Sequence, residues 1–288
     1  MSSPRIGITM GDPRGIGPEV IRRALEDLDT TEGIVLYGDP ELFSDLELPC
    51  EPHPTARGAI EAAAHDLNVG KLDGAVTGPV SKSCFEGEFP GHTELFAARM
   101  GAESAAMVLT GDRLTVSCVT THIPLSEVVG SLSKEPIITT GRLLHEFLVT
   151  AKGIDHPRIA MAALNPHASD GGLFGDEESR IMEPAIAALR DDGIDITGPW
   201  SADTVFHQAV SGRFDAVLCG YHDQALIPFK LLHFSDGVNV TLGLRRPRTS
   251  SDHGPAYDLV GTGRADATSM RRAIEVARRL AREIRPQP

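Results

Sequence analysis

The feature that most limits how this 288-residue chain can fold is a recurring unit: a short apolar run that stops abruptly, followed by a helical stretch. The fullest instance spans Phe214 to Lys230, F-D-A-V-L-C-G and then Y-H-D-Q-A-L-I-P-F-K. Ala216 to Cys219 reads as a buried strand that Gly220 ends. Tyr221, His222, Asp223 and Gln224 then crowd four hydrogen-bonding side chains onto the strand exit, and Lys230 follows an apolar A-L-I-P-F connector. In open α/β sheets, ligands bind outside the carboxyl ends of strands. A polar cluster there is costly to keep unless something uses it.

The same unit recurs along the chain. Arg5 to Met10 is a strand followed by the Gly-rich loop Gly11 to Glu19 and a helix reaching Leu28. That loop is either a ligand-facing turn or a tight turn that needs its glycines; it is neither G-x-G-x-x-G nor a P-loop. Gly33 to Gly38, Gly74 to Thr77, Leu114 to Thr121, Arg158 to Leu164 and Gly237 to Gly243 read as further strands. Thr55 to Asn68, Pro136 to Ala151 and Thr268 to Ile284 read as helices, and Thr249 to Pro255 as a turn. Strands alternating with helices predict an α/β protein with a mainly parallel sheet covered on both faces. With no linker in sight, a second domain must arise by the chain crossing over and returning.

Composition narrows the partners. A net charge of −13 and a pI near 5.3 argue against nucleic acid or an anionic membrane. They leave room for a small anionic substrate in a local cationic pocket. Cys50, Cys84, Cys118 and Cys219 show no C-x-x-C pairing and read as reduced packing residues. The N-terminus lacks a leader pattern and no run approaches 18 apolar residues, so a cytoplasmic protein is expected.

Three groups of residues carry chemistry. His122, His167 and His222 each follow an apolar strand, and strands lying side by side would bring three imidazoles to one rim. Three neutral imidazoles leave a position open on a divalent ion, as catalysis needs. Thr93 in F-P-G-H-T-E-L is a good N-cap, which puts His92 and Thr93 where helix amides point outward, a site suited to phosphate or carboxylate. Lys230, Arg245, Arg246 and Arg248 concentrate cations in an acidic chain and suit an oxyanion clamp. Asn239 sits among them in an apolar strand, where its amide needs a partner.

Taken together these pieces resemble a known family, the 4-hydroxythreonine-4-phosphate dehydrogenases and their threonate/erythronate 4-phosphate dehydrogenase relatives. The resemblance rests on M-G-D-P-R-G-I-G-P-E (Met10 to Glu19), T-G-P-V-S-K (Thr77 to Lys82), G-H-T-E (Gly91 to Glu94) and T-T-H-I-P-L (Thr120 to Leu125). It continues through L-N-P-H-A (Leu164 to Ala168), A-D-T-V-F (Ala202 to Phe206), Y-H-D-Q-A-L (Tyr221 to Leu226), G-V-N-V-T-L-G-L (Gly237 to Leu244) and R-T-S-S-D-H-G (Arg248 to Gly254).

The resemblance implies an isocitrate/isopropylmalate-dehydrogenase-like fold with two α/β/α lobes and a cleft between them. One lobe would comprise residues 1–112 plus 236–288, on the dinucleotide side; the other, 113–235, would carry the metal ligands and dimer contacts. It implies a homodimer using NAD or NADP and a divalent metal (Zn, Mg, Co or Mn), with His122, His167 and His222 as ligands across the dimer interface. His92, Thr93, Lys230, Asn239 and Arg248 become substrate contacts, Lys230 and Asp203 candidate catalytic groups, and Asp252, His253 and Gly254 the dinucleotide segment. The implied reaction is oxidation of a secondary hydroxyl in a 4-phosphorylated hydroxy acid, then decarboxylation of the 3-keto acid, as in pyridoxine biosynthesis.

The chain departs from the family's usual pattern in three places. It is shorter before the G-H-T motif, it carries Arg245-Arg246-Pro247, and its Ala168 to Glu178 loop looks closer to the threonate/erythronate branch. Three rival readings remain: a relative oxidising a non-phosphorylated diol such as a cyclic dihydrodiol, a redox-free lyase or phosphatase using the three histidines, and a protein holding a structural metal.

Overall fold

A computed structural model describes residues 3–284. In chain order they form β1 (Ile6–Thr9), α1 (Gly17–Glu26), β2 (Ile34–Gly38), β3 (Cys50–Pro52), α2 (Ala56–Asn68), β4 (Gly74–Thr77), α3 (His92–Met100) and β5 (Ala106–Thr110). There follow β6 (Thr115–Thr120), α4 (Leu125–Ser131), α5 (Lys134–Thr150), β7 (Ile159–Ala162), α6 (Glu183–Asp191), β8 (Ile196–Trp200) and α7 (Ala202–Val210). The last elements are β9 (Ala216–Tyr221), α8 (His222–Leu232), β10 (Val238–Leu242), β11 (Arg248–Ser251) and α9 (Thr268–Ile284). The protein is α/β, as the alternation predicts. Among the described residues no helix is long and apolar enough to cross a membrane.

The chain divides into two compact units: residues up to Ala105 together with those from Ser235 onward, and Ala106–Phe234. In the first unit the strand order is β3-β2-β1-β4-β11-β10, parallel except that β10 runs antiparallel to β11. Both faces are covered, so β1, β2 and β4 are mainly apolar and wholly buried, with Thr9 and Thr77 at the ends of β1 and β4. One of its cores packs Ile60, Leu67 and Ala63 of α2 and Leu95 and Phe96 of α3 onto Val35, Tyr37 and Ala75 of the sheet.

In the second unit the order is β5-β6-β9-β7-β8, with β5 antiparallel to β6 and the remaining pairs parallel. Val116, Cys118, Val217, Cys219 and Ala160 meet Val205 of α7 and Ala225 and Phe229 of α8 in its core. Burial pushes the Cys118 thiol up to about 12, which keeps it protonated and a packing group.

Two local expectations change. The A-L-I-P-F segment is not a connector but part of α8, with Pro228 inside it. Proline normally breaks a helix interior; here Ala225 and Phe229, four residues apart on one face, anchor the helix in the core on either side of it. The second change concerns Thr249 to Ser251, read as the start of a turn, which with Arg248 form the buried strand β11 between β4 and β10. Neighbours satisfy those side chains: the Thr249 hydroxyl, for one, donates to the Ala273 carbonyl at 2.8 Å.

Candidate active site

In the second unit, β6, β9 and β7 are parallel neighbours, so their carboxyl ends share one edge. His122, His222 and the Asn165-Pro166-His167 segment leave from these three ends. The ends are laced together: the Thr120 hydroxyl donates to the Gly220 carbonyl at 2.9 Å, and buried Gln224 accepts from the Gly220 N–H at 2.8 Å while donating to the Ala163 carbonyl at 2.7 Å.

Two of the three predicted imidazoles come together. The His122 and His222 ring centroids lie 5.7 Å apart. That separation suits two nitrogens at about 2.1 Å from one ion. His222 Nδ1 lies 2.6 Å from the exposed Asp223 carboxylate. A carboxylate can only accept, so Nδ1 is the donor, which leaves Nε2 as the nitrogen that can face an ion. Among the described residues, however, no group of three His, Cys, Asp or Glu side chains is placed to hold a metal. The predicted trio therefore does not close within one chain: His167 sits apart from the pair, on a segment with its own geometry.

Both His122 and His167 have left-handed backbones, with φ of 47° and 54°. After His167 the run continues through Ala168, Ser169 and Asp170 at 53°, 66° and 43°. A left-handed conformation costs a non-glycine residue about 1 kcal/mol or more. Such strain persists only where surrounding contacts over-determine it, and it clusters at functional sites. His167 lines a cavity with Asn165, Asp203, Tyr221, Asp223 and Gln224. Asp203, on the first turn of α7, accepts from the Ser201 hydroxyl at 2.7 Å. Lys230 is not among the residues lining this cavity; its ammonium lies 5.9 Å from the Phe234 ring centroid.

In the first unit a second group forms around Thr241. Arg248 is 1% exposed; its guanidinium donates to the Thr241 hydroxyl at 3.2 Å and to the Thr77 hydroxyl, over the Phe96 ring. Burial lowers the Arg248 pKa to about 9, against the raising effect of the Glu94 charge. The Thr93 hydroxyl meets the Thr241 hydroxyl at 3.3 Å. Asn239, two residues from Thr241 on β10, shares its side of the strand. The His92 ring packs edge-on to Phe85 at 5.2 Å, and burial, then the Arg248 charge, hold it well below the usual imidazole range. Buried His92 Nε2, Asn239 Oδ1 and Arg248 Nε have no hydrogen-bond partner. Buried polar groups are nearly always partnered, so three orphans in one cluster call for a ligand with both acceptor and donor character.

Thr93 is not the helix cap the sequence predicts. Gly91 takes the cap position in extended backbone, α3 begins at His92, and the Thr93 side chain is drawn to Thr241 instead. The cation cluster also splits. Arg246 donates to the Leu67 carbonyl at the end of α2, and Arg245 is exposed, leaving Arg248 as the member that belongs to this pocket.

The segment that follows Asp252-His253-Gly254 rests on the loop after β1. The Ile16 N–H donates to the Pro255 carbonyl at 2.9 Å, and the Tyr257 hydroxyl to Asp12 at 2.6 Å. Burial would raise the Asp12 pKa, but the Tyr257 and Arg14 hydrogen bonds prevail and lower it. Gly15 is required here, since a Cβ would lie 2.7 Å from the Pro255 carbonyl oxygen. Sequence reading missed Asp12 and Tyr257 as a pair, although M-G-D-P-R-G marked the loop.

Residues 53–277 match the family model for the pyridoxal phosphate biosynthetic protein PdxA. The chain belongs to the PdxA family. This PdxA-family chain is 45% identical to a 4-hydroxythreonine-4-phosphate dehydrogenase of Desulfosudis oleivorans, over 95% of each chain. It is 37% identical to a D-threonate 4-phosphate dehydrogenase of Pectobacterium atrosepticum, over 96% of this chain and 99% of that one. A crystal structure of a Klebsiella pneumoniae 4-hydroxythreonine-4-phosphate dehydrogenase superposes with a TM-score of 0.83 at 36% identity, covering 97% of this chain and 100% of that one.

Proposed function

We propose that this PdxA-family enzyme is an NAD(P)-linked dehydrogenase that oxidises a secondary hydroxyl of a 4-phosphorylated hydroxy acid and decarboxylates the resulting 3-keto acid. The observation that carries the substrate class is Arg248, a buried cation grouped with the unpartnered atoms of His92 and Asn239. A phosphate supplies further negative charge beside Arg248 and acceptor oxygens for its Nε–H; a protonated phosphate oxygen or a substrate hydroxyl can donate to Asn239 Oδ1.

The chain's own residues divide the work. Arg248, Thr93 and the first turn of α3 hold the phosphate and thereby fix the reacting carbon. His122 and His222 hold a divalent ion, with His167 supplied by a second copy of the chain in a homodimer. Imidazole ligands suit zinc and similar late transition metals better than magnesium or manganese. When bound, such an ion supplies Lewis acidity to the substrate's oxygens. Asp203 and Lys230 are the candidates for moving the hydroxyl proton. Asp252, His253 and Gly254, just ahead of the Pro255 and Tyr257 contacts to the loop after β1, face the dinucleotide. Two lobes of the isocitrate/isopropylmalate-dehydrogenase kind, in a cytoplasmic protein, complete the reading, and the division into two compact units supports it.

The test is NAD(P)H formation with a panel of 4-phosphorylated hydroxy acids, 4-hydroxythreonine 4-phosphate and threonate 4-phosphate among them, with and without added divalent metal. Metal-dependent turnover of a phosphorylated member, at least 100-fold above its dephosphorylated form, is expected. Equal turnover of both forms would sink the phosphate assignment.

A further inference from the structure

The left-handed run carrying His167 needs a restraint, and one buried side chain supplies it. Glu178 is 3% exposed and stands at the head of the helical segment that leads into α6. One carboxylate oxygen accepts from the Leu164 N–H at 2.9 Å and the Asn165 N–H at 2.6 Å. The other accepts from the Asn165 side-chain amide at 3.0 Å and from the Ser169 hydroxyl. Four donors thus converge on one carboxylate from both sides of His167: three from Leu164 and Asn165 before it and one from Ser169 after it.

Burial acts to raise the Glu178 pKa, yet these hydrogen bonds outweigh it and the pKa is lowered. The carboxylate is therefore charged, and a charged acceptor makes stronger bonds than a neutral one. Asn165 is gripped a second time, its amide donating to Glu177 at 2.7 Å. Gly175, at φ 119°, lets that pair close, because a Cβ there would lie 2.5 Å from the Glu177 carboxylate and 2.9 Å from the Asn165 amide. The side chains of both glutamates are spent on holding the segment from Leu164 to Ser169. His167 itself stays exposed and lines the cavity shared with Asp203.

We infer that Glu178 is a positioning residue: its carboxylate clamps the strained loop on either side of His167 and sets the direction in which that imidazole is presented. The inference deepens the proposed function, resting on His167 as a ligand to the ion. Outer partners of metal-ligating histidines commonly act this way, and losing one weakens metal binding about 10–100-fold.

The test compares Glu178→Gln and Ser169→Ala with the unmodified full-length protein and with His167→Ala. In Glu178→Gln one oxygen still serves the two backbone amides, but an NH₂ now faces Asn165 and Ser169. Ser169→Ala deletes one contact and keeps the buried carboxylate, so it guards against simple unfolding. Amide hydrogen exchange over residues 166–172 should quicken about tenfold or more in both variants, with exchange in β7 and β9 unchanged. Titration with Co(II) alone should show affinity reduced about 10–100-fold in Glu178→Gln, approaching His167→Ala. Unchanged exchange in the loop would overturn the clamp whatever the metal does. Quickened exchange with full Co(II) affinity, where His167→Ala has lost it, would overturn the link from clamp to ligand. If His167→Ala itself keeps full affinity while the loop loosens in Glu178→Gln, the ligand assignment fails and the clamp stands.

Discussion

Replacing Arg248 by Met separates a binding arginine from a structural one. The buried guanidinium has its pKa lowered from the usual arginine range to about 9, a displacement worth about 5 kcal/mol against the charged form. It remains charged at neutral pH, so the folded protein carries that cost. Met fills a similar volume without charge. Against the relief stand the Thr77 and Thr241 hydroxyls, which lose a donor at about 1–3 kcal/mol each, and the Phe96 contact at about 1 kcal/mol. The opposing effects nearly cancel, and the expected net change is within about 2 kcal/mol.

Function should not be spared. Truncating one member of a buried charged pair costs about 2–5 kcal/mol of binding, so kcat/KM for the phosphorylated substrate should fall about 30–5,000-fold. Inorganic phosphate at 100 times its Kd should stabilise the unmodified protein by about 2.7 kcal/mol, raising Tm by about 5 °C or more, and leave Arg248→Met unmoved. The assay is thermal unfolding by calorimetry with and without phosphate, beside steady-state kinetics. A variant that melts far lower and still responds fully to phosphate would refute the reasoning, because Arg248 would then be a structural group and the anion would bind elsewhere.

Other outcomes follow from the same geometry. His122→Ala and His222→Ala should each lower metal-dependent turnover at least about 100-fold with little change in urea midpoint; retained Co(II) binding in either would count against the pair. Asp223→Asn keeps the shape but weakens the hold on His222 Nδ1, and should weaken Co(II) binding about tenfold in an equilibrium titration. Phe229→Ala should cost about 3–5 kcal/mol in urea unfolding, since Phe229 is wholly buried between α8 and the sheet.

Asp215, at the head of β9, accepts from the Arg158 backbone at 2.7 Å and from its guanidinium. Burial would raise its pKa, but the bonds from Arg158 prevail and lower it. The stabilisation is therefore present above the unfolded value near 3.8 and fades as pH falls through the lower folded value. Because the pair is partly exposed, Asp215→Asn should cost only about 1 kcal/mol at pH 7, and the difference from wild type should vanish in acid, as followed by urea unfolding at stepped pH.

Much of the fold was legible because short buried strands announce themselves as apolar runs ending at Gly or polar residues: β1, β2, β4, β7, β9 and β10 all do. β11 did not, because Arg248, Thr249, Ser250 and Ser251 have the composition of a turn, and only their neighbours' hydroxyls and carbonyls make their burial tolerable. α8 hid behind Pro228, whose cost is met by core contacts that no local propensity encodes. At the site, the placing of His122 and His222 at adjacent strand ends could be read from their positions after apolar runs. The capping role given to Thr93 could not survive, since Thr241, 148 residues away, claims its hydroxyl. Glu178 was invisible for a similar reason: its four donors are ordinary backbone and polar groups, gathered by a left-handed path that sequence does not display.

The first unit is built from both ends of the chain, while the second is one uninterrupted segment. Its strands β10 and β11, and with them Asn239, Thr241 and Arg248, leave the ribosome only after Ala106–Phe234 has been made in full. Domains tend to fold as they emerge, so a chain released near residue 234 would carry its imidazole edge while still lacking Asn239, Thr241 and Arg248. Premature termination in that window should therefore yield a fragment that keeps all three histidines of the candidate metal site yet has lost the buried arginine.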